Sequence, residues 1–221
     1  MFKDRVFKIQ SKDEFQELAL EVFKFQFEEN TTYRSYCDLL NIHYSDVKCI
    51  NDIPFLPIEF FKQRTIVSSN DLITHTFTSS GTTGSIVSKH HVTDIDVYIK
   101  SFTEAFNAFY GTFNDYVILA LLPSYLERNG SSLVYMVDYL IKHSNHTESG
   151  FYLNNLHDLK TQLTQLDKTK KVLLIGVSFA LLDLVEDYEF ELKNTIVMET
   201  GGMKGRRKEL VRQELHDILK N

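Results

Sequence analysis

Between Thr78 and Gly84 the chain places five hydroxyl side chains and two glycines in seven residues, Thr78-Ser79-Ser80-Gly81-Thr82-Thr83-Gly84. Glycine lets the backbone take positive φ and leaves no Cβ in the way, so successive main-chain N–H groups can turn toward one anion. Serine and threonine hydroxyls add donors that rotate to suit phosphate oxygens. The chemistry this pattern fits is the holding of a polyphosphate. It is not a Walker loop, because the Gly-Lys-Ser/Thr ending is missing. Clusters of Gly, Ser and Thr between periodic segments also serve as plain turns, so the pattern alone leaves both uses open.

A second cluster, Glu199-Thr200-Gly201-Gly202-Met203, falls where a strand-like run gives way to a helical one. A tight turn there needs glycine for φ alone. Lys204, Arg206, Arg207 and Lys208 follow. Basic residues at a helix start oppose the macrodipole, so either an anion sits nearby or the charges are a solvated group. Other chemistries find less support. Gly176-Val177-Ser178 approaches the Gly-x-Ser-x-Gly elbow of hydrolases but lacks its second glycine. His90 and His91 are neighbours on a strand-like run, face opposite sides and are not expected to share a metal. Catalytic carboxylates cannot be picked from the thirty acids.

The elements that must position these groups are read from periodicity. Ser11 and Glu14 form a capping box, and Phe15, Leu18, Ala19, Val22 and Phe23 predict an amphipathic helix over residues ~12–28. Tyr33, Tyr36, Leu39 and Leu40 suggest a second. Pro54 and Pro57 forbid regular helix through Ile53 to Ile58 and make a rigid apolar connector. Leu72 to Phe77 and Ile86 to Val92 read as a hairpin around the hydroxyl-rich loop. Thr93 is expected to cap a helix whose face is Ile95, Tyr98, Phe102, Ala105, Phe106 and Phe109, with Gly111 as its stop.

From there strands and helices alternate. Tyr116–Leu122, Gly150–Leu153, Val172–Gly176 and Thr195–Met198 read as strands. Ser131–Ile141, Leu156–Leu166, Phe179–Val185 and Lys208–Leu219 read as helices. Continuous apolar strands separated by amphipathic helices predict an α/β fold, a mostly parallel sheet with helices on both faces. The loops Pro123 to Ser132 and Glu199 to Gly205 then lie at strand C-terminal ends, where ligands of open α/β sheets bind. No linker or repeat interrupts the chain. The reading is one α/β domain over 1–221, with a helical region and Pro-rich connector over 1–70 and the loop and βα units over 71–221.

Several of these stretches, taken in order, carry a resemblance. They are Ile53-Pro54-Phe55-Leu56-Pro57-Ile58 with Phe60-Phe61-Lys62, then Phe77 to Gly84, Leu121 to Arg128, and Met198 to Arg206. Together they resemble the acyl-protein synthetase (LuxE-type) branch of the adenylate-forming, or acyl-AMP ligase, superfamily, and the likeness covers nearly the whole chain. The resemblance implies the fold of the amino-terminal domain of those ligases. It implies binding of ATP with Mg²⁺ by Thr78, Ser79, Ser80, Gly81, Thr82, Thr83 and Gly84, with Gly201, Gly202 and Met203 lining the adenine pocket. It also implies activation of a carboxylic acid, a fatty acid in this branch, as acyl-adenylate and transfer to a protein thiol.

The chain departs from the pattern in places. Val87 stands where the related ligases carry a lysine, and the nearest lysine is Lys89. The family's metal-holding Glu, ribose-binding Asp, catalytic Lys and late acyl-accepting Cys would all fall beyond Asn221. The resemblance therefore implies an amino-terminal part, truncated relative to the family, with weak or no adenylation of its own and no catalytic residue to name. An exposed sheet edge in such a part would favour a homo-oligomer. Two other classes stay open: a non-catalytic nucleotide- or anion-binding module of an assembly, and an acyltransferase using a preformed acyl thioester.

Bulk properties bound the rest. The 221 residues suffice for one sizeable core, and 43% hydrophobic with 24% charged residues is ordinary for a globular protein. A net charge of −6 argues against a dedicated nucleic-acid partner. Cys37 and Cys49 have no metal spacing. No run approaches the ~20 apolar residues of a membrane span, and no signal peptide is recognised, so a cytoplasmic protein without a membrane span is expected.

Overall fold

The computed structural model describes residues 2–68, 72–79, 86–122, 130–203 and 205–220. The chain divides into two compact units, Met1–Ala105 with Gly130–Ser132, and Phe106–Asn129 with Leu133–Asn221.

The first unit is mainly helical. α1 (Phe2–Arg5) leads to α2 (Lys12–Glu29), and Asn30 ends α2 while its side chain caps α3 (Thr31–Leu39) by accepting from the Tyr33 amide at 3.1 Å. Ser11 caps α2, accepting from the Glu14 amide at 3.1 Å, but the Glu14 carboxylate accepts from Gln10 and not from Ser11. Phe23, Phe27, Tyr33, Cys37 and Val47 form a buried cluster, against which Ile53 and Leu56 of the proline connector pack. The expected stripes are therefore corrected. Phe15, Leu39 and Leu40 are exposed, and the small Cys37 takes the buried place on α3.

Beyond the connector comes α4 (Phe60–Gln63), then the antiparallel pair β1 (His75–Thr78) and β2 (Lys89–Val92), in which Thr76 faces His91 and Thr78 faces Lys89. β1 is shorter than the sequence suggests, since Leu72 and Ile73 are exposed and precede it. α5 (Ile95–Tyr110) follows, and Gly111 stops it at φ +79°. Its cap is Asp94, not Thr93: the Asp94 carboxylate accepts from the Asp96 amide at 3.2 Å and from Lys3 Nζ at 2.7 Å. Near the helix end, Phe109 is exposed and Phe106 is buried.

The second unit is the α/β part. β3 (Tyr116–Leu121), β4 (Gly150–Phe151), β5 (Lys171–Val177) and β6 (Thr195–Thr200) form a four-stranded, wholly parallel sheet in the order β4-β3-β5-β6. Helices α6 (Ser132–His143), α7 (Leu156–Leu166) and α8 (Ser178–Asp187) connect the strands and flank the sheet. Right-handed crossovers put α6 on one face and α7 with α8 on the other. The chain leaves β3 toward β4 and returns past it to β5, so the winding reverses between β3 and β5.

Both central strands are sealed from water on both sides, as parallel strands require. Gly176 is needed there, because a Cβ would meet the Leu181 side chain at 2.8 Å and Leu121 Cβ at 3.2 Å. The last helix, α9 (Arg212–Lys220), starts four residues later than the sequence pattern from Lys208 suggests. No helix among the described residues is long and apolar enough to cross a membrane.

Candidate functional site

The reversal between β3 and β5 marks the sheet edge where open α/β folds bind ligands. The β5–β6 register, Gly176 with Glu199 and Val177 with Thr200, brings the start of α8 beside the glycine turn after β6. Ser178, buried as the first residue of α8, donates its hydroxyl toward the Glu199 carboxylate and lies 3.0 Å from the Gly201 carbonyl oxygen. With one proton, the hydroxyl serves one acceptor at a time. This is not a hydrolase elbow. The serine is enclosed, it faces a carboxylate and a carbonyl, and among the described residues the one non-glycine at positive φ is Asn41.

The segment after β6 is fastened along one face of α8. Gly201 takes φ +83°, which glycine alone adopts without strain, and Met203 is buried. The Arg206 guanidinium lies 4.6 Å over the Phe179 ring. Arg207 forks between Asp183, with Nε at 3.0 Å, and Glu186, with Nη2 at 2.6 Å. Phe179, Asp183 and Glu186 share one helix face by their i, i+4, i+7 spacing. The Arg207 side chain holds the Glu186 carboxyl below its ordinary pKa, and the two acids, Glu186 first, push the guanidinium further up. The cluster Lys204 to Lys208 is therefore not a charge group at a helix start. Arg207 is matched by carboxylates, and Lys204 lies outside the described residues.

Below this edge, Asp167 ties α7 to the entry of β6. Its buried carboxylate accepts from the amides of Lys193 at 2.9 Å and Asn194 at 2.8 Å and from the Thr195 hydroxyl at 2.7 Å. Burial works against the charge, but the Thr195 hydroxyl and the two amides outweigh it, and the pKa falls below the usual carboxylate value.

Of the hydroxyl-rich stretch, Thr78 and Ser79 are described, and Ser80, Gly81, Thr82, Thr83 and Gly84 lie outside the described residues. The Thr78 amide donates to the Gly130 carbonyl at 2.8 Å, and the Ser79 amide to the Ser88 carbonyl at 3.0 Å. Ser79 Oγ in turn accepts from the Ser88 amide at 3.0 Å. Gly130 has φ +84°, and a Cβ there would approach Thr78 Oγ1 to 3.0 Å. Ser79 thus closes the base of the hairpin, while the Thr78 amide ties β1 to Gly130. Of the expected loop Pro123 to Ser132, residues 123–129 also lie outside the described residues.

On β2, His91 Nδ1 pairs with Thr76 Oγ1 at 2.9 Å, and His90 stands edge-on to Phe61 with ring centroids 6.2 Å apart. Among the described residues no group of three or more His, Cys, Asp or Glu side chains could hold a metal. The pairing of Ser178 with Glu199 had no signal in the sequence, because it depends on strand register.

Comparison with known proteins gives the family. The family model described as "Acyl-protein synthetase, LuxE" matches residues 7–219, so it runs through both units. The chain belongs to this family. A "Long-chain-fatty-acid--luciferin-component ligase" of Vibrio harveyi is 34% identical over 68 residues. That stretch is 30% of this chain and spans 18% of the ligase. Within the acyl-protein synthetase family, then, this chain carries the parallel-sheet edge with its glycine turn and the hairpin that brackets the hydroxyl-rich loop.

Proposed function

We propose that the chain takes part in ATP-dependent activation of a carboxylic acid, a long-chain fatty acid, as an acyl-adenylate for transfer to a thiol. The observation that carries this reading is the acyl-protein synthetase match over residues 7–219, whose span includes the phosphate-type signature Thr78 to Gly84. The named activity of the Vibrio harveyi relative agrees with it. In the reaction, a carboxylate oxygen bonds to the α-phosphorus of ATP and the bond to pyrophosphate breaks. A thiolate then attacks the acyl carbon, forming the thioester and releasing AMP.

The work assigned to this chain is binding and orientation. Thr78 and Ser79 fix the base of the loop, whose remaining residues, Ser80 to Gly84, offer amides and hydroxyls to the phosphates. Gly201, Gly202 and Met203 form the turn proposed to border the adenine, held by Ser178 and by Arg207. Mg²⁺, if bound, neutralises charge on the departing pyrophosphate; such ions are held largely by phosphate oxygens and one or two carboxylates. Among the described residues no group of three or more His, Cys, Asp or Glu side chains forms a cage for it.

The test is calorimetric titration with Mg·ATP, followed by fatty-acid-dependent exchange of labelled pyrophosphate into ATP. Expected are ATP binding that is lost in Gly81→Val and Thr82→Ala, and slow exchange by the chain alone. Binding that ignores both substitutions, or no binding at all, would overturn the reading.

A further inference from the structure

The first unit contains a cavity of about 880 Å³, within the ~300–1,000 Å³ range of ligand pockets. Its walls come from α2, the proline connector, α4, the residues before β1, and β2. They are mostly apolar, including Phe15, Leu18, Val22, Ile53, Phe55 and Ile66. Phe15 and Phe55 are exposed at 51% and 72%, so large apolar side chains face open space at the same place. A grouping of this kind on one surface marks a binding site more often than scattered exposure does.

The polar lining residues fall into two sets. In the wall beside α2, Gln26 Oε1 accepts from Ser68 Oγ at 2.6 Å and from Asn30 Nδ2 at 3.2 Å, and Tyr33 donates its hydroxyl to the Pro54 carbonyl at 2.8 Å. Those groups spend these bonds inside the wall. The other set is Lys3, His90, His91 and Thr93. The Lys3–Asp94 ion pair at 2.7 Å fixes Lys3 next to Thr93, and both histidines belong to β2. Lys3 and His91 are thereby both neighbours of Thr93, and an apolar lining with one such group of donors suits a carboxylate with a long tail. His91 belongs to β2, the strand that follows the hydroxyl-rich stretch in sequence.

We propose that this cavity holds the alkyl chain of a long-chain carboxylic acid, its carboxylate beside Lys3, His91 and Thr93. The inference rests on the acid-activating reading above and names where its acid binds. Each further methylene that enters an apolar site strengthens binding about fourfold, so affinity should climb with chain length until the cavity is full.

The experiment displaces cis-parinaric acid, a fluorescent fatty acid, with the saturated acids from octanoic to hexadecanoic. Wild type is compared with Ala19→Trp and Val22→Trp, which put bulk into the cavity from α2. Mg·ATP binding is measured on the same samples. Expected are a rise of about fourfold per methylene, then a plateau, and a loss of about tenfold or more in the Trp variants at unchanged melting temperature. If both variants melt early, Ala19→Phe and the wild-type chain-length series decide. Affinity that neither depends on chain length nor falls in the variants overturns the proposal. So does ATP binding without acid binding, which leaves the proposed function standing with its acid elsewhere. Acid binding without ATP binding keeps the cavity and removes the adenylation reading. A dimer dissociated by Ala19→Trp, with no acid bound, would make the face a contact between copies and overturn the proposal.

Discussion

In the strand unit, Val117 to Leu121 and Val172 to Ile175 are all within 2% of full burial, so every apolar side chain on these stretches faces protein. On α2 of the helical unit the same kind of residue is divided. Leu18, Phe23 and Phe27 are buried, Ala19 and Val22 are half-buried at the cavity, and Phe15 is exposed. Apolar content means closed packing in one unit and an open apolar wall in the other. The difference teaches that a hydrophobic stripe identifies a face but not what covers it. A parallel strand must be covered on both sides, whereas an amphipathic helix can line a space.

The comparison breaks or holds on matched truncations. Leu163→Ala, at a fully buried position of α7, should cost about 2–5 kcal/mol, because a packed site relaxes only partly around the void. Val22→Ala, which enlarges a space already present, should cost less than about 1 kcal/mol, with the better helix propensity of alanine offsetting part of it. Urea titrations of both variants measure this. Equal losses would mean that α2 is packed as tightly as α7.

A smaller but sharper difference is expected from Asp167. Asp167→Ala leaves two amides and a hydroxyl without their acceptor and should cost about 2–3 kcal/mol at neutral pH. The folded carboxyl titrates below its unfolded value near 3.9, so its contribution is complete above that pH and disappears as pH falls through the folded pKa. The gap between wild type and Asp167→Ala should therefore close in acid. A gap that does not narrow as the pH falls below the ordinary carboxylate value near 3.9 would assign the loss to packing instead.

Much of the fold was legible because burial on both sides leaves an unmistakable pattern. Tyr116 to Leu121, Leu156 to Leu166 and Lys171 to Val177 stand within a residue or so of where periodicity puts them. What was misread depends on partners distant in sequence. Thr93 and Asp94 are both capping types, and the ion pair with Lys3 sits on Asp94. Lys208 to Val211 has helical composition, but the preceding Arg207 is held by Asp183 and Glu186, and helix begins only at Arg212. The site divides in the same way. The glycine at Gly201 was readable as a need for positive φ. The approach of Ser178 to Glu199 was not, since it follows from pairing β5 with β6 in one register.

A further test approaches the helical cluster from the alkaline side. Tyr33 donates to the Pro54 carbonyl at 2.8 Å and packs edge-on to Phe23 at 6.1 Å. Burial first, then the neighbouring Cys37, pushes its pKa up, and burial does the same to the Cys37 thiol. A raised folded pKa favours the neutral form, so the stabilisation is complete below the unfolded values, about 8.5 for the thiol and 10 for the phenol, and fades above them. Tyr33→Phe should cost about 1 kcal/mol at neutral pH for the lost hydrogen bond. Above about pH 10 the wild type must pay for keeping the phenol neutral and the variant does not, so the two should converge. Both keep the decline that begins near pH 8.5 with Cys37. Urea midpoints measured across that range decide it: a constant gap would mean that Tyr33 is open enough to ionise freely, and that the cluster beside the cavity is looser than its burial suggests.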